Sequence, residues 1–409
     1  MKRIVILSDK FPPLPGGGIA SAHFNLYKMF RSKGFDVHVY TYLDENKKLT
    51  DLKDDPNVHR FGATELELKY LYLINKIKRK ISNFKINKLP QKGLAYQLDL
   101  IKISNIGAKK INKQLKKFKP DIVFIPDFGV PGYSIQKLPN IKYVHISHNN
   151  PIRFINNPLI GIHSENDTTA ALKFEQQSLK CIDIVICPSN YMKEVFSKTF
   201  SFDKDIVVIP NLIHQEYINN IKKEDLHEIL GINPSWPIIY IPSAGSKYKG
   251  EKFVIEIIRR ISNNLNNEVG FYLSGNLSEN QIFELSFLPD YHIYSPGYVS
   301  LESNIANIKD CKICISPTLF ECFGMAILEA LFCGLPCVAF NVGGNKEIID
   351  CNNGFLVQFL DIETLISRSL ELLNSSDLFY SLAKNTKNTQ KEYSSDIIYE
   401  RYYEIINGL

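Results

Sequence analysis

The residues best suited to chemistry lie in CISPTLFECFGMAILEALFCGLPCVAF, Cys314 to Phe340. The apolar run Ile313 to Ser316 reads as a buried strand, and Pro317 to Phe323 as a loop carrying one carboxylate, Glu321. Gly324 opens a run of good helix formers holding a second carboxylate, Glu329. Gly334 and Pro336 stop that helix before a further strand, Pro336 to Phe340. In open α/β sheets ligands bind outside the carboxyl ends of the strands. The N–H groups of Phe323, Gly324 and Met325 lack intrahelical partners there and carry partial positive charge, which suits a pyrophosphate. Glu329 lies roughly 7.5 Å along the axis from Gly324, at about 1.5 Å per residue. Two carboxylates flanking a diphosphate could each hold hydroxyls, which is the pattern a nucleotide sugar presents.

Spacing alone is a weak signal. Glu216/Glu224, Glu363/Glu371 and Glu392/Glu400 have the same separation on charged, helix-like stretches. Only Glu321/Glu329 sits inside strand, loop, glycine, helix, Gly-x-Pro and strand.

The elements that must position this stretch run through all 409 residues, too many for one core. The strand Arg3 to Ser8 leads into FPPLPGGG, Phe11 to Gly18, and a helix to about Arg31. Successive glycines there let backbone amides approach a bulky or anionic ligand. Strands Asp121 to Pro126, Ile141 to Ser147 and Asp183 to Pro188 follow. His148 falls at a strand's carboxyl end, His145 falls within the strand, and Ser189 sits at an N-cap position. A second half restarts at Ile238 to Ser243 with AGSKYKGEKFV, where Lys247 and Lys249 lie in a strand-to-helix loop with Gly245 and Gly250. A lysine there can counter a phosphate. The pattern predicts α/β architecture: two Rossmann-like, doubly wound domains facing across a cleft. Their expected extents are residues 1–215 and 216–390, with a final helix, 391–409, packing back on the first.

Composition, 44% hydrophobic and 22% charged, reads as soluble and globular. The chain enters a strand at Arg3, unlike a signal peptide, and no apolar run approaches the roughly 20 residues of a bilayer span. A cytoplasmic protein is expected. The eight cysteines are scattered, and Cys311/Cys314 read as buried thiols rather than a zinc pair. Charge is uneven. Lys69 to Lys119 carries fourteen lysines and one arginine against Asp99, a +14 block within a chain of net +5, so −9 remains elsewhere. This basic insertion, about 66–119, contains no recognisable nucleic-acid module. Its lysines alternate with Leu, Ile, Tyr and Phe, which suits either a solvated helical insertion or a peripheral surface on an anionic membrane.

The assembled motifs resemble glycosyltransferase family 4, retaining nucleotide-sugar transferases of the GT-B fold. The resemblance rests on FPPLPGGG, KGFDVHVYT, CPSNYMKEVF, VVIPN, YKGEKFV and, most specifically, ECFGMAILEALFCGLPCVAFNVGGNKEII with its E-x7-E and Gly-Gly-x-x-Glu. It implies that Glu321 contacts the donor sugar and Glu329 the ribose. Amides at Phe323, Gly324 and Met325 would hold the diphosphate or sugar, with Lys249 neutralising the diphosphate. Main chain at Tyr298 and Val299 would read the base, while Gly17, Gly18 and His148 line the cleft. No cofactor or metal is implied. The expected partners are a UDP- or GDP-sugar and a glycan acceptor, expected to be lipid-linked, in cell-surface polysaccharide synthesis, with no nucleic acid. A glycogen-synthase-like enzyme, another GT-B sugar-nucleotide enzyme and a non-catalytic subunit are the alternatives. The chain departs from the family at Ala244, where many members have arginine, and at Leu212, where glycine is usual. Lys247 is the candidate substitute cation.

Overall fold

A computed structural model describes residues 2–14, 16–44, 55–74, 96–155, 157, 159, 164–288 and 291–408. Residues 75–95 of the basic block, including Lys76, Lys78, Arg79 and Lys80, lie outside the described residues.

Continuous apolar runs such as IVFIP favour strands buried on both faces, the signature of parallel sheets. The strands of the first half are β1 (Arg3–Ser8), β2 (Asp36–Thr41), β3 (Val58–Arg60), β4 (Ile122–Pro126), β5 (Lys142–Ile146), β6 (Ile184–Cys187) and β7 (Ile206–Val208). They form one parallel sheet in the order β3-β2-β1-β4-β5-β6-β7. The second sheet contains β8 (Ile238–Ile241), β9 (Gly270–Ser274), β10 (His292–Gly297), β11 (Ile313–Ser316), β12 (Cys337–Phe340) and β13 (Gly354–Val357). Its order is β10-β9-β8-β11-β12-β13, again parallel.

Longer helices cover these sheets: α1 (Gly18–Ser32), α2 (Tyr96–Phe118), α3 (Glu165–Ser178), α4 (Asn190–Thr199), α5 (Glu251–Asn264), α6 (Leu301–Ile308), α7 (Met325–Phe332), α8 (Ile362–Asn374), α9 (Ser376–Glu392) and α10 (Ser395–Asn407). Period-two alternation splits each strand between two apolar layers. Ile4 and Ile6 pack with α1 and α10, whereas Val5 and Leu7 pack with α2 and α4. In the second sheet Tyr240 and Cys314 pack with α6 and α7, and Ile239 and Ile313 with α5 and α8. The fold is α/β and GT-B-like, with helices on both faces of two sheets.

The last helix leaves the second half and buries Ile398, Tyr402, Ile405 and Ile406 in the first sheet's core. Tyr402 meets Phe30 edge-on at 5.4 Å. Lys2 Nζ donates to the Ile406 carbonyl, and Lys33 Nζ lies 2.7 Å from Asp396. Two elements were not anticipated. β3 has three residues and acquires strand identity only by pairing with β2. A short helix, Gln215–Asn220, forms where the sequence reads as polar connection.

Tyr402 is 3% exposed within this layer. Tyr402→Ala should therefore cost about 3–5 kcal/mol of stability, read by urea unfolding. A loss below about 1 kcal/mol would mean that α10 rests on the first sheet without anchoring it.

Candidate functional site

Each sheet has one point where strand order reverses, between β1 and β4 in the first and between β8 and β11 in the second. Loops leaving the carboxyl ends of those strands diverge there and open a crevice. The loops after β1, β8 and β11 carry the glycines, Lys247 with Lys249, and Glu321. β3 helps to hold the first of them. Arg60 forms a buried 2.6 Å ion pair with Asp44 and donates to the carbonyls of Phe11 and Pro12. Asp44 in turn accepts from Phe11 N.

The N-termini of α1 and α7 face each other across the two halves. A Cβ on Gly18 would lie 3.6 Å from the Met325 Cβ. Between them is a cavity of about 130 Å³. Gly17, Gly18, Val299, Met325 and Glu329 line it, as do Ser21, Tyr240, Ser243, Ser274 and Asn304. Ser21 Oγ donates to Glu329 Oε1 at 2.6 Å, crossing from α1 to α7. Burial pushes the Glu329 carboxyl from its ordinary 4.5 up to about 7, and the Ser21 bond only partly opposes this. Ser243 has φ +50, a left-handed conformation uncommon outside glycine. Its N–H donates to Ser274 Oγ at 3.0 Å.

Glu321 stands outside that cavity, 2.5 Å from Lys249 Nζ, in an ion pair whose side chains are 13% and 27% exposed. Gly250, next to Lys249, has φ +82, and a Cβ there would lie 2.0 Å from the Pro317 carbonyl. The two loops therefore interlock without a side chain between them. Gly324 caps α7 at φ +116 with no side-chain cap bond, so the first N–H groups of the helix depend on other acceptors. Phe323 is buried against Tyr393. Lys247 is exposed, and Ala244 is buried in the apolar layer behind β8.

His148 is not among the residues lining the main cavity. It is buried, with Nε2 3.0 Å from Asn211 Oδ1 and its ring 5.6 Å from His23. Burial lowers its pKa, which favours neutral imidazole. His145 is a core residue beside Glu175. Among the described residues, Asp225, His227 and Asp310 bring three potential metal-ligating atoms within 4.8 Å. Lys223 Nζ and Leu226 N already occupy the oxygens of Asp310, and this group lies apart from the cavity.

The sequence reading missed Ser21, Ser243, Ser274 and Asn304. Ser21 had an available signal, since it lies three residues after Gly18 and shares its helix face. The other three come from a loop, a strand and a helix far apart in the chain and share no local pattern.

Two family models match the chain: Glycosyltransferase Family 4 over residues 90–217 and Glycosyl transferases group 1 over residues 222–391. An uncharacterised glycosyltransferase of Methanocaldococcus jannaschii is 27% identical over 222 residues, 52% of this chain and 56% of that protein. The UDP-Gal:alpha-D-GlcNAc-diphosphoundecaprenol alpha-1,3-galactosyltransferase of Escherichia coli is 25% identical over 392 residues, 91% of this chain and 88% of that enzyme. In three dimensions the sucrose-phosphate synthase of Thermosynechococcus elongatus matches with a TM-score of 0.76 at 16% identity, covering 99% of this chain and 98% of that one. Two facing parallel sheets, a cavity at both switch points and matched halves define a GT-B glycosyltransferase. The chain belongs to glycosyltransferase family 4.

The buried Glu329 carboxyl has a signed consequence. Its folded pKa, about 7, exceeds its ordinary 4.5, so the folded state holds more protons between those values. Stability should fall as pH rises from about 4.5 to 7 and level off above, a loss on the order of 3 kcal/mol from this group. Glu329→Gln, which imitates the protonated form, should lack that component in urea unfolding at pH 5 and pH 8. Asp9, pushed up to about 6, titrates in both proteins and cancels. Parallel pH profiles would refute the desolvated state of Glu329.

Proposed function

We infer that the protein transfers a sugar, with retention, from a nucleotide-sugar donor to a glycan acceptor. The carrying observation is the cavity at the two switch points, with a buried carboxylate at one wall and the Lys249–Glu321 pair beside it. In this reading Glu329 accepts from the ribose hydroxyls and the Val299 main chain meets the base. Amides at Phe323, Gly324 and Met325 face the diphosphate or sugar.

Lys249 and Glu321 neutralise each other as an ion pair. Donor binding would part them, Lys249 taking the diphosphate and Glu321 the sugar hydroxyls. Lys249 and the α7 N-terminus then stabilise charge on the leaving diphosphate, a preorganised electrostatic contribution of the kind that dominates many enzymes. The Gly17–Gly18 edge and His148 belong to the acceptor side, His148 acting through its bond to Asn211 rather than by lining the cavity. The scheme uses no metal. Closure around the donor excludes water.

The galactosyltransferase relative acts on a diphosphoundecaprenol-linked sugar, which supports a UDP-sugar donor and a lipid-linked acceptor in envelope polysaccharide synthesis. The surface supports a peripheral membrane position. In the helical segment 65–74, Leu66, Tyr70 and Leu73 recur at helical spacing and are 78%, 67% and 53% exposed beside the lysine block. Among the described residues no helix is long and apolar enough to cross a membrane.

A panel of UDP-glucose, UDP-galactose, UDP-N-acetylglucosamine and GDP-mannose, read by thermal unfolding and nucleotide release, tests the activity. A donor at about 100 times its Kd should stabilise the protein by about 2.7 kcal/mol. Glu321→Ala should then fold normally and lose turnover. No shift with any donor, or full turnover by that variant, would overturn the reading. For the membrane position, anionic vesicles should sediment the wild type, and neutralising Lys76, Lys78, Arg79 and Lys80 should weaken this. Unchanged sedimentation would assign the block to solubility.

A further inference from the structure

Glu347 ends the Gly-Gly-x-x-Glu motif, yet it does not line the main cavity. It reaches into the other half of the molecule. Its Oε2 accepts from Asn190 N at 2.8 Å and Asn190 Nδ2 at 3.0 Å, and its Oε1 accepts from Tyr191 N at 2.9 Å. Those amides begin α4, a ten-residue helix of the first half. A carboxylate accepting helix N-terminal amides makes short, charge-assisted bonds reinforced by the helix dipole.

The contact continues into the donor loop. Ser189, the N-cap of α4, accepts from Met192 N and donates to the Cys322 carbonyl at 2.6 Å. Cys322 is the residue after Glu321. From the other side, Gly344 N donates to the Glu321 carbonyl at 3.2 Å, and Glu347 N donates to the Gly344 carbonyl at 3.0 Å. A Cβ on Gly343 would lie 1.8 Å from the Glu321 carbonyl oxygen, so the loops after β11 and β12 touch backbone to backbone. Tyr393, at the turn where the chain crosses back to the first half, donates its hydroxyl to the Glu347 carbonyl at 2.5 Å.

The geometry points to Glu347 and Ser189 as an interdomain clasp that sets the backbone of Glu321 when the two halves dock. They are positioning residues, acting through Glu321 rather than on the donor, and the role rests on the transferase reading above. Opening the halves removes the Ser189 bond to the Cys322 carbonyl and, together with it, releases Glu347, whose loop holds the Glu321 carbonyl through Gly344 N. Docking and donor-loop placement are thereby one event, and turnover is confined to the docked arrangement.

Glu347→Gln tests this with little change of shape. The amide oxygen can still accept on its own side, while the NH2 faces an N–H donor on the other, so at least one bond is replaced by a donor–donor contact. Turnover of the donor identified by the panel should fall about tenfold, with KM for that donor and Kd for UDP changing less than about threefold. Small-angle scattering with UDP present should show a larger radius of gyration than the wild type. Ser189→Ala should move the same way, and Glu363→Gln, on an exposed Arg260 pair of the second half, should move neither quantity. Unchanged turnover and radius in Glu347→Gln would overturn the clasp. So would equal losses of UDP affinity and turnover, which mark general damage to the second half. A wild type inactive with every donor sinks the transferase reading alone, because the scattering comparison still decides whether Glu347 holds the halves together.

Discussion

The approach of two helix N-termini, α1 from one sheet and α7 from the other, is the constraint on which the remaining arrangement depends. Both helices follow strands at a reversal of strand order, so both point their free amides into a common crevice. At the head of α1, a Cβ on Gly18 would sit at ordinary van der Waals distance from the Met325 side chain. Three residues on, Ser21 reaches Glu329 and takes a carboxylate out of water. The cavity, its perturbed carboxyl and the stacking of the two halves share that single approach.

The two glutamates of one motif consequently occupy unlike environments. Glu321 is partly exposed and paired with an ammonium, which keeps its charge compensated. Glu329 has only a hydroxyl, and desolvation carries its pKa toward neutrality. Identical side chains eight positions apart are thus separated into an ion-paired partner and a buried hydrogen-bonding wall by packing alone. Environment rather than residue type sets the division of labour.

Polar contacts between the halves gather around the loop after β11 and the head of α7. Ser21 meets α7, Ser189 meets the Cys322 carbonyl, and Glu347 meets the first amides of α4. Contacts of this polar kind can form and part without burying a large apolar face. α10 supplies the permanent attachment, since its apolar face lies in the first sheet's core.

Much of the fold was legible from local information. Apolar runs of four to six residues, glycines at strand ends and helix stops at Gly334 and Pro336 marked the strand–loop–helix units. Strand-to-helix order then placed Gly17, Lys249 and Glu321 at carboxyl edges. Two features resisted. β3 is too short to carry a period and exists through its neighbour, and Ser243, Ser274 and Asn304 meet only when separate elements pack. Sequence by itself determined the longer elements, the doubly wound arrangement and the loops that carry polar chemistry, because periodicity and turn residues act over a few positions. Tertiary structure alone decided that Glu321 pairs with Lys249, that Glu329 is desolvated against Ser21, and that His148 turns inward to Asn211. Those outcomes depend on distances between residues tens to hundreds of positions apart, which no local pattern encodes.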